Sequence, residues 1–315
     1  MIVVLAGGIG GARFLRGLLA VVGPGQVTVV GNTGDDITLH GLRVCPDLDT
    51  VMYTLGGGIN EEQGWGRSDE RFTVAEELAA YGEPDWFTLG DRDLATHLVR
   101  TRLLGEGIPL SEVTRRLCAR WRLPLELLPM TDQPVETHVV ADGRQMHFQD
   151  YWVGLHAAVP VDRVWLAGAT DARPAPGVLE AIAAADVILL PPSNPVVSVG
   201  TILDVPGIRA AIGAAAAPVV GVSPLIRGAP VRGMADRMLA AIGVDCTAAA
   251  VAAHYGAAVD GGLLDGWLVD TADADEVGGV PDGIVVESRP LWMSDPEATA
   301  AIAKAALDLA ERLGG

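Results

Sequence analysis

A wholly apolar run, Ile2 to Ala6, passes without a break into Gly7-Gly8-Ile9-Gly10-Gly11-Ala12-Arg13. Phe14, Leu15, Leu18, Leu19 and Val22 then recur at helical spacing, which predicts strand, tight turn and helix. No other stretch restricts the fold as much, because a buried strand feeding a helix through glycines is an opening unit of an open α/β sheet. Glycines let the main chain approach an anion closely, and the first N–H groups of the helix and the positive end of its dipole face that anion. The turn therefore reads as a phosphate- or nucleotide-binding loop, the alternative being a plain turn between strand and helix. It is no Walker A loop, since no Gly-Lys-Ser/Thr closes it. It also departs from the dinucleotide fingerprint, because Arg13 stands where the third glycine belongs.

A second strand is predicted over Gln26 to Gly31, and it delivers Asn32-Thr33-Gly34-Asp35-Asp36 at its C-terminal end, where open sheets place ligands. Cys45-Pro46-Asp47-Leu48-Asp49-Thr50 follows and opens a helical stretch from Thr50 to Leu55. Asp35, Asp36, Asp47 and Asp49 thus fall within fifteen residues. Clustered carboxylates repel one another unless a cation or hydrogen-bond donors compensate them. Hard oxygen ligands on loops suit Mg²⁺, so all four are candidate metal ligands and Asp35 and Asp36 candidate catalytic groups; helix capping is the alternative use.

Phosphate charge has few other partners in this chain. Lys304 is the only lysine, so anions must be met by backbone N–H groups, by arginine, or by a metal on carboxylates. A formal charge of −18 without any basic run argues against nucleic acid or an anionic membrane surface as partner. The longest apolar stretches are too short or too interrupted by proline to span a bilayer, and the chain starts directly in a strand, so a soluble cytoplasmic protein is expected. Cys45, Cys118 and Cys246 are odd in number and widely spaced, which indicates neither a disulfide framework nor a zinc ribbon.

Residues 61–149 change texture and are expected to form a mostly helical insertion, with helices at Thr73 to Tyr81, Asp91 to Leu104 and Pro109 to Trp121. Trp65, Trp86, Asp91 and His97 lie there among aromatics, charges and glycines that would suit a flat aromatic ligand, though each has an ordinary packing or capping role available. Alternating strand and helix then resume, with Val164 to Gly168, Asp186 to Leu190, Val219 to Val222, Trp267 to Val269 and Ile284 to Val286 as strands. Residues 1–60 and 150–315 are thus expected to form one core. Pro191-Pro192-Ser193-Asn194-Pro195 is a rigid loop at a strand end, where Ser193 and Asn194 are placed to contact a ligand. Arg227 and Arg232 are within reach of a diphosphate.

The common hydrolase signatures are missing, and what remains is the equipment of phosphoryl or nucleotidyl-type transfer. In order along the chain, the glycine turn, Asn32 to Asp36, Cys45 to Thr50, Leu89-Gly90-Asp91-Arg92-Asp93 and Leu190 to Pro195 together resemble the 2-phospho-L-lactate transferase family of coenzyme F420 biosynthesis, called phosphoenolpyruvate transferase in actinobacteria. Phe148-Gln149, Pro174 to Gly177 and Val222-Ser223-Pro224 extend the resemblance over nearly the whole chain. It implies a Rossmann-like α/β core with a helical second part, a homodimer, and Mg²⁺ as cofactor. It implies movement of a phospholactyl or phosphoenolpyruvyl group from a guanosine diphosphate ester to the terminal hydroxyl of the deazaflavin Fo, with release of GMP. Within such a reaction the residue pattern leads to the expectation that Gly8, Gly10, Gly11 and Arg13 of the turn and Ser193 and Asn194 of the rigid loop bind the donor nucleotide, that Trp65, Trp86, Asp91 and His97 of the insertion meet the acceptor, and that Asp35, with Asp36, Asp47 or Asp49 assisting, holds the metal. One segment departs: Met130-Thr131-Asp132-Gln133-Pro134-Val135 has Gln133 where a second acid is expected. A nucleotide-binding regulatory protein and a dinucleotide-dependent oxidoreductase are the rival readings, the latter disfavoured by Arg13.

Overall fold

A computed structural model describes residues 1–314. The chain runs β1 (Ile2–Ala6), α1 (Gly8–Val21), β2 (Val27–Gly31), the hairpin β3 (Ile37–Leu39) and β4 (Leu42–Val44), then α2 (Pro46–Leu55), α3 (Thr73–Ala80), α4 (Asp91–Gly105) and α5 (Leu110–Trp121). There follow β5 (Glu126–Pro129), β6 (Glu136–Ala141), β7 (Arg144–His147), β8 (Val161–Ala167), α6 (Val178–Ala183), β9 (Val187–Leu190), α7 (Val199–Asp204), α8 (Ile208–Ala214) and β10 (Val219–Val222). The last elements are β11 (Leu225–Ile226), β12 (Ala229–Pro230), α9 (Ala235–Ala241), α10 (Ala248–Tyr255), β13 (Gly266–Asp270), β14 (Val285–Arg289) and α11 (Pro296–Gly314).

Seven strands form one sheet in the order β14-β13-β10-β9-β1-β2-β5, and every pairing in it is parallel. A parallel sheet must be covered on both faces, and β1, β2, β9, β10 and β13 accordingly read as near-continuous apolar runs. Successive side chains divide between two cores. Val3, Leu5, Ile188 and Leu190 face one side with α6, α7, α8 and α10, while Val4, Ala6, Val187 and Leu189 face the other with α1, α2, α5 and α11. A smaller antiparallel sheet, β7-β6-β8, stands beside this body with its own core of Val139, Phe148, Tyr151 and Met238. Among the described residues no helix is long and apolar enough to cross a membrane.

The α/β class and parallel sheet expected from the sequence are present, with two differences of detail. Residues 61–149 supply α3, α4 and α5, but β5 inside that stretch is the edge strand of the main sheet, running alongside Thr28 to Gly31. Its short apolar pair, Leu127 and Leu128, is bounded by Pro124 and Pro129, and an edge position tolerates proline where a central one does not. Val164 to Gly168 does not resume the parallel core either. It falls in β8 and at its end, antiparallel to β6.

Candidate active site

β1 has β2 on one side and β9 on the other, so the chain travels outward from β1 in both directions. Such a point of reversal opens a crevice at the carboxyl ends of the strands. Here the crevice lies between the loop after β1 and the loop after β9, and the two loops are pressed together. Ser193 Oγ donates to the Gly7 carbonyl at 2.8 Å. A Cβ on Gly11 would come within 2.6 Å of Ser193 Oγ, and one on Gly10 would run into the Pro192 carbonyl. Gly10 and Gly11 are thus required by loop-to-loop packing, and Gly10 also lines the crevice. Gly8 differs, with φ of +65° at the start of α1; that helix has no side-chain cap from Gly7, its Gly8 N–H is directed at Asp47, and Gly7 to Gly10 line the crevice.

The crevice widens into a cavity of about 520 Å³ lined by the glycine turn, Arg13, Asp35, Asp47, Ser193 and Asn194, among others. Asp35 and Asp47 are the only carboxylates among the described residues on its wall. One amide organises both: Asn32 Nδ2 donates to Asp47 at 2.9 Å and to Asp35 at 3.4 Å, as well as to the Val197 carbonyl at 3.1 Å. Asn32 Oδ1 in turn accepts from Gly34 N at 2.8 Å and from Thr201 Oγ1 of α7 at 2.7 Å. Asp35 has one further donor, Gln149 Nε2, at 3.5 Å. Burial, then the Asp47 charge, pushes the Asp35 carboxyl well above its usual range. Burial raises Asp47 to about 6, although Asn32 and the Gly8 N–H work against the rise. Two buried, mutually repelling carboxylates with few donors form a place where a divalent cation is stabilising.

Asp36 and Asp49 belong elsewhere. Asp36 turns behind the cavity toward Arg43, 3.6 Å away, and burial raises it to about 7 even with that partner. Asp49 is paired with Arg100 of α4, whose Nη1 donates to it at 3.0 Å and also contacts His97 Nδ1 at 3.1 Å. Accepting from Arg100 through Nδ1 leaves His97 to carry its proton on Nε2, which lies 3.4 Å from Asp93. Burial opposes the charge on Arg100, yet Asp49 outweighs it and holds the guanidinium firmly protonated. Asp49, Asp93 and His97 cluster closely enough to suggest a metal site, but the Arg100 charge already compensates them. The four sequence-adjacent aspartates therefore split into a cavity pair and a structural pair.

The expected acceptor residues are similarly divided. Trp65 lines the cavity, carried on a turn that Ile59 and Arg67 pinch together. Trp86 does not; it packs edge-on against Phe87 at 5.7 Å and close under Gly154. Asp91 accepts from Val74 N at 3.1 Å near the start of α3, and His97 is wholly buried in the Arg100 network. The aromatic wall consists instead of Phe87, Phe148, Trp152 and Trp292 with Trp65. Phe148 and Trp152 pack with their rings tilted and their centroids 5.4 Å apart just after β7, and Asp270 holds the segment before Trp292 by accepting from Leu291 N at 2.7 Å. In the family-like segment, Asp132 accepts from Ser111 N at 2.6 Å at the start of α5, and Gln133 accepts from Arg173 N at 2.8 Å, so both are structural.

The profile of 2-phospho-L-lactate transferase CofD matches residues 2–279. A phosphoenolpyruvate transferase of Streptomyces griseus is 64% identical over 318 residues, covering 99% of each chain. Similar proteins of the same description come from Thermobifida fusca, 63% identical over 325 residues and covering 99% and 98%, and from Mycolicibacterium smegmatis, 53% identical over 325 residues and covering 98% of each. Among solved structures, a UPF0052-family protein of Bacillus halodurans is similar over 97% of this chain and 98% of its own, with a TM-score of 0.61 and 19% identity, a likeness of fold alone. With likeness along its whole length, the chain belongs to the 2-phospho-L-lactate transferase CofD family and is a transferase.

Proposed function

We propose that the protein moves a phosphoenolpyruvyl group from a guanosine diphosphate ester to the terminal hydroxyl of Fo, releasing GMP, as a step of coenzyme F420 biosynthesis. The observation that carries this reading is one cavity holding an uncapped helix N-terminus, two buried carboxylates and an aromatic wall. The first N–H groups of α1 receive the donor's diphosphate. The ring system of Fo lies against Phe87, Phe148 and Trp152, with Trp65 and Trp292 at the mouth. Choosing enolpyruvyl over lactyl follows the description of the relatives named above.

Asp35 and Asp47 fit Mg²⁺, which takes one or two protein carboxylates and completes its shell with water and phosphate. When bound there it supplies charge neutralisation at the phosphoryl oxygens. In the transfer the acceptor oxygen forms a bond to the outer phosphorus of the donor, the bond from that phosphorus to the bridging oxygen breaks, and GMP leaves with the electron pair. The hydroxyl proton goes to one of the two cavity carboxylates, the only acids lining the space among the described residues. Asn32 orients both groups and the closely packed loops limit water.

Incubation with freshly made enolpyruvyl-diphosphoguanosine and Fo tests the proposal. GMP release that depends on Fo is the expected result. Tight binding of both molecules without turnover would instead indicate a nucleotide sensor, and hydride transfer with added NAD an oxidoreductase.

A further inference from the structure

The cavity brings two cationic side chains to its surface, Arg13 on α1 and Arg232 in the loop between β12 and α9, and among the described residues no carboxylate pairs with either. Glu61, the acid that acts on Arg13, is taken by Arg16 at 2.9 Å. Arg232 is held in place, donating from Nη1 to the Gln63 carbonyl at 2.9 Å and from Nη2 to the Glu62 carbonyl at 3.5 Å. Those bonds satisfy neutral acceptors and leave its charge without a counter-ion. Arg13 and Arg232 line the same cavity, and partial burial and the Arg232 charge both weaken the hold of Arg13 on its proton, a cost that a ligand anion would remove.

The diphosphate of the donor already has the first N–H groups of α1. Arg13 stands five residues beyond Gly8, about 7.5 Å farther along the helix axis, and its side chain leans back toward the N-terminus and so toward the cavity. A planar guanidinium fork matches a carboxylate, and the chain's one lysine lies in α11, 2.7 Å from Asp308. We infer that Arg13 and Arg232 form a separate subsite for the carboxylate of the three-carbon group on the donor, and that this pair selects a donor bearing that carboxylate. The inference rests on the transfer reaction proposed above. Since Arg232 also grips the turn carrying Trp65, seating the carboxylate fixes the rim of the cavity on which Trp65 stands.

The test compares direct binding of GDP, which has the diphosphate and no carboxylate, with binding of freshly made enolpyruvyl-diphosphoguanosine. Arg13→Gln and Arg232→Gln are expected to leave the GDP Kd within about threefold and to weaken the donor about tenfold to a hundredfold, the usual worth of a charge-assisted hydrogen bond. Arg13→Lys should fall between, since it keeps the charge and loses the fork. Fo affinity, read by its fluorescence, should not change in Arg13→Gln, since Arg13 makes no bond to the turn that carries Trp65. Equal weakening of GDP and donor would overturn the subsite by assigning the arginines to the diphosphate; weaker Fo with an unchanged donor would overturn it as well. Because the ratio is a binding measurement, it decides the subsite whether or not GMP is released, and absence of Fo-dependent GMP release in the wild type would count against the transfer reaction alone.

Discussion

Asn32 holds both cavity carboxylates through a single side-chain amide while its oxygen is bound to Gly34 and Thr201. Replacing it by aspartate removes the donors and adds a third buried negative charge. Asn32→Asp is therefore expected to cost about 2–4 kcal/mol of stability in denaturant unfolding; an unchanged midpoint would mean that the amide does not bear on the pair. Of the tryptophans near the aromatic wall, Trp152 lines the cavity and Trp86 does not. Trp152→Ala should weaken Fo about tenfold in a fluorescence titration, while Trp86→Ala should bind Fo as the wild type does. The glycine turn, Asp35, Asp47, Ser193 and Trp65 were legible in the sequence because each sits at a strand end or in a local pattern. Phe87, Trp152 and Trp292 were not, because only packing decides which face of a loop meets the cavity.

α4 packs on α2 without reaching the candidate cavity. Asp93, His97 and Arg100 recur on one face of α4 at spacings of four and three residues, and they meet Asp49 and Tyr53 one turn apart on α2. α2 also carries Asp47, so this buried contact fixes the helix on which a cavity carboxylate stands. Arg100→Leu leaves Asp49 buried without a partner and should cost about 3–5 kcal/mol, whereas Arg100→Leu with Asp49→Leu should recover most of that loss. Equal losses in the single and double variants would contradict the pairing. The sequence displays Asp47 and Asp49 as equivalent, two residues apart at the start of a helix; the register of α4 against α2 is long-range information that no local pattern contains. α3 buries no residue, and its exchange-exposed amides should lose protection before those of α1 or α2 in hydrogen exchange.

The parallel sheet was readable from its apolar runs, and Thr137 to Val140 and Val164 to Gly168 were readable as strands, but β5, β7 and the antiparallel pairing of β6 with β7 and β8 were not, because short strands bounded by proline, or half-exposed, carry a weak period. The molecule carries a formal charge of −18 overall, and Asp35 and Asp47 are the two carboxylates it brings to the wall of the candidate cavity. For a carboxyl whose folded pKa is raised, such as Asp47 near 6, the folded state binds more protons than the unfolded one between the two values. Stability from this group is thus present at low pH and lost as pH rises through about 6. A cation competing with those protons should raise the melting temperature little at pH 5 and progressively more toward pH 8. A Mg²⁺ shift that is the same at both values would remove the metal from the Asp35–Asp47 pair.

The most direct measurement is the rate of GMP release at saturating Fo and donor, across Mg²⁺ concentration, for the wild type, Asp35→Asn, Asp47→Asn and Asp36→Asn. The cavity pair is predicted to lose about a hundredfold or more in rate and to need higher Mg²⁺ for half-saturation. Asp36, turned toward Arg43, should leave the Mg²⁺ dependence where it is in the wild type. Wild-type rates and Mg²⁺ dependence in both Asp35→Asn and Asp47→Asn would contradict the assignment of the reaction to this cavity.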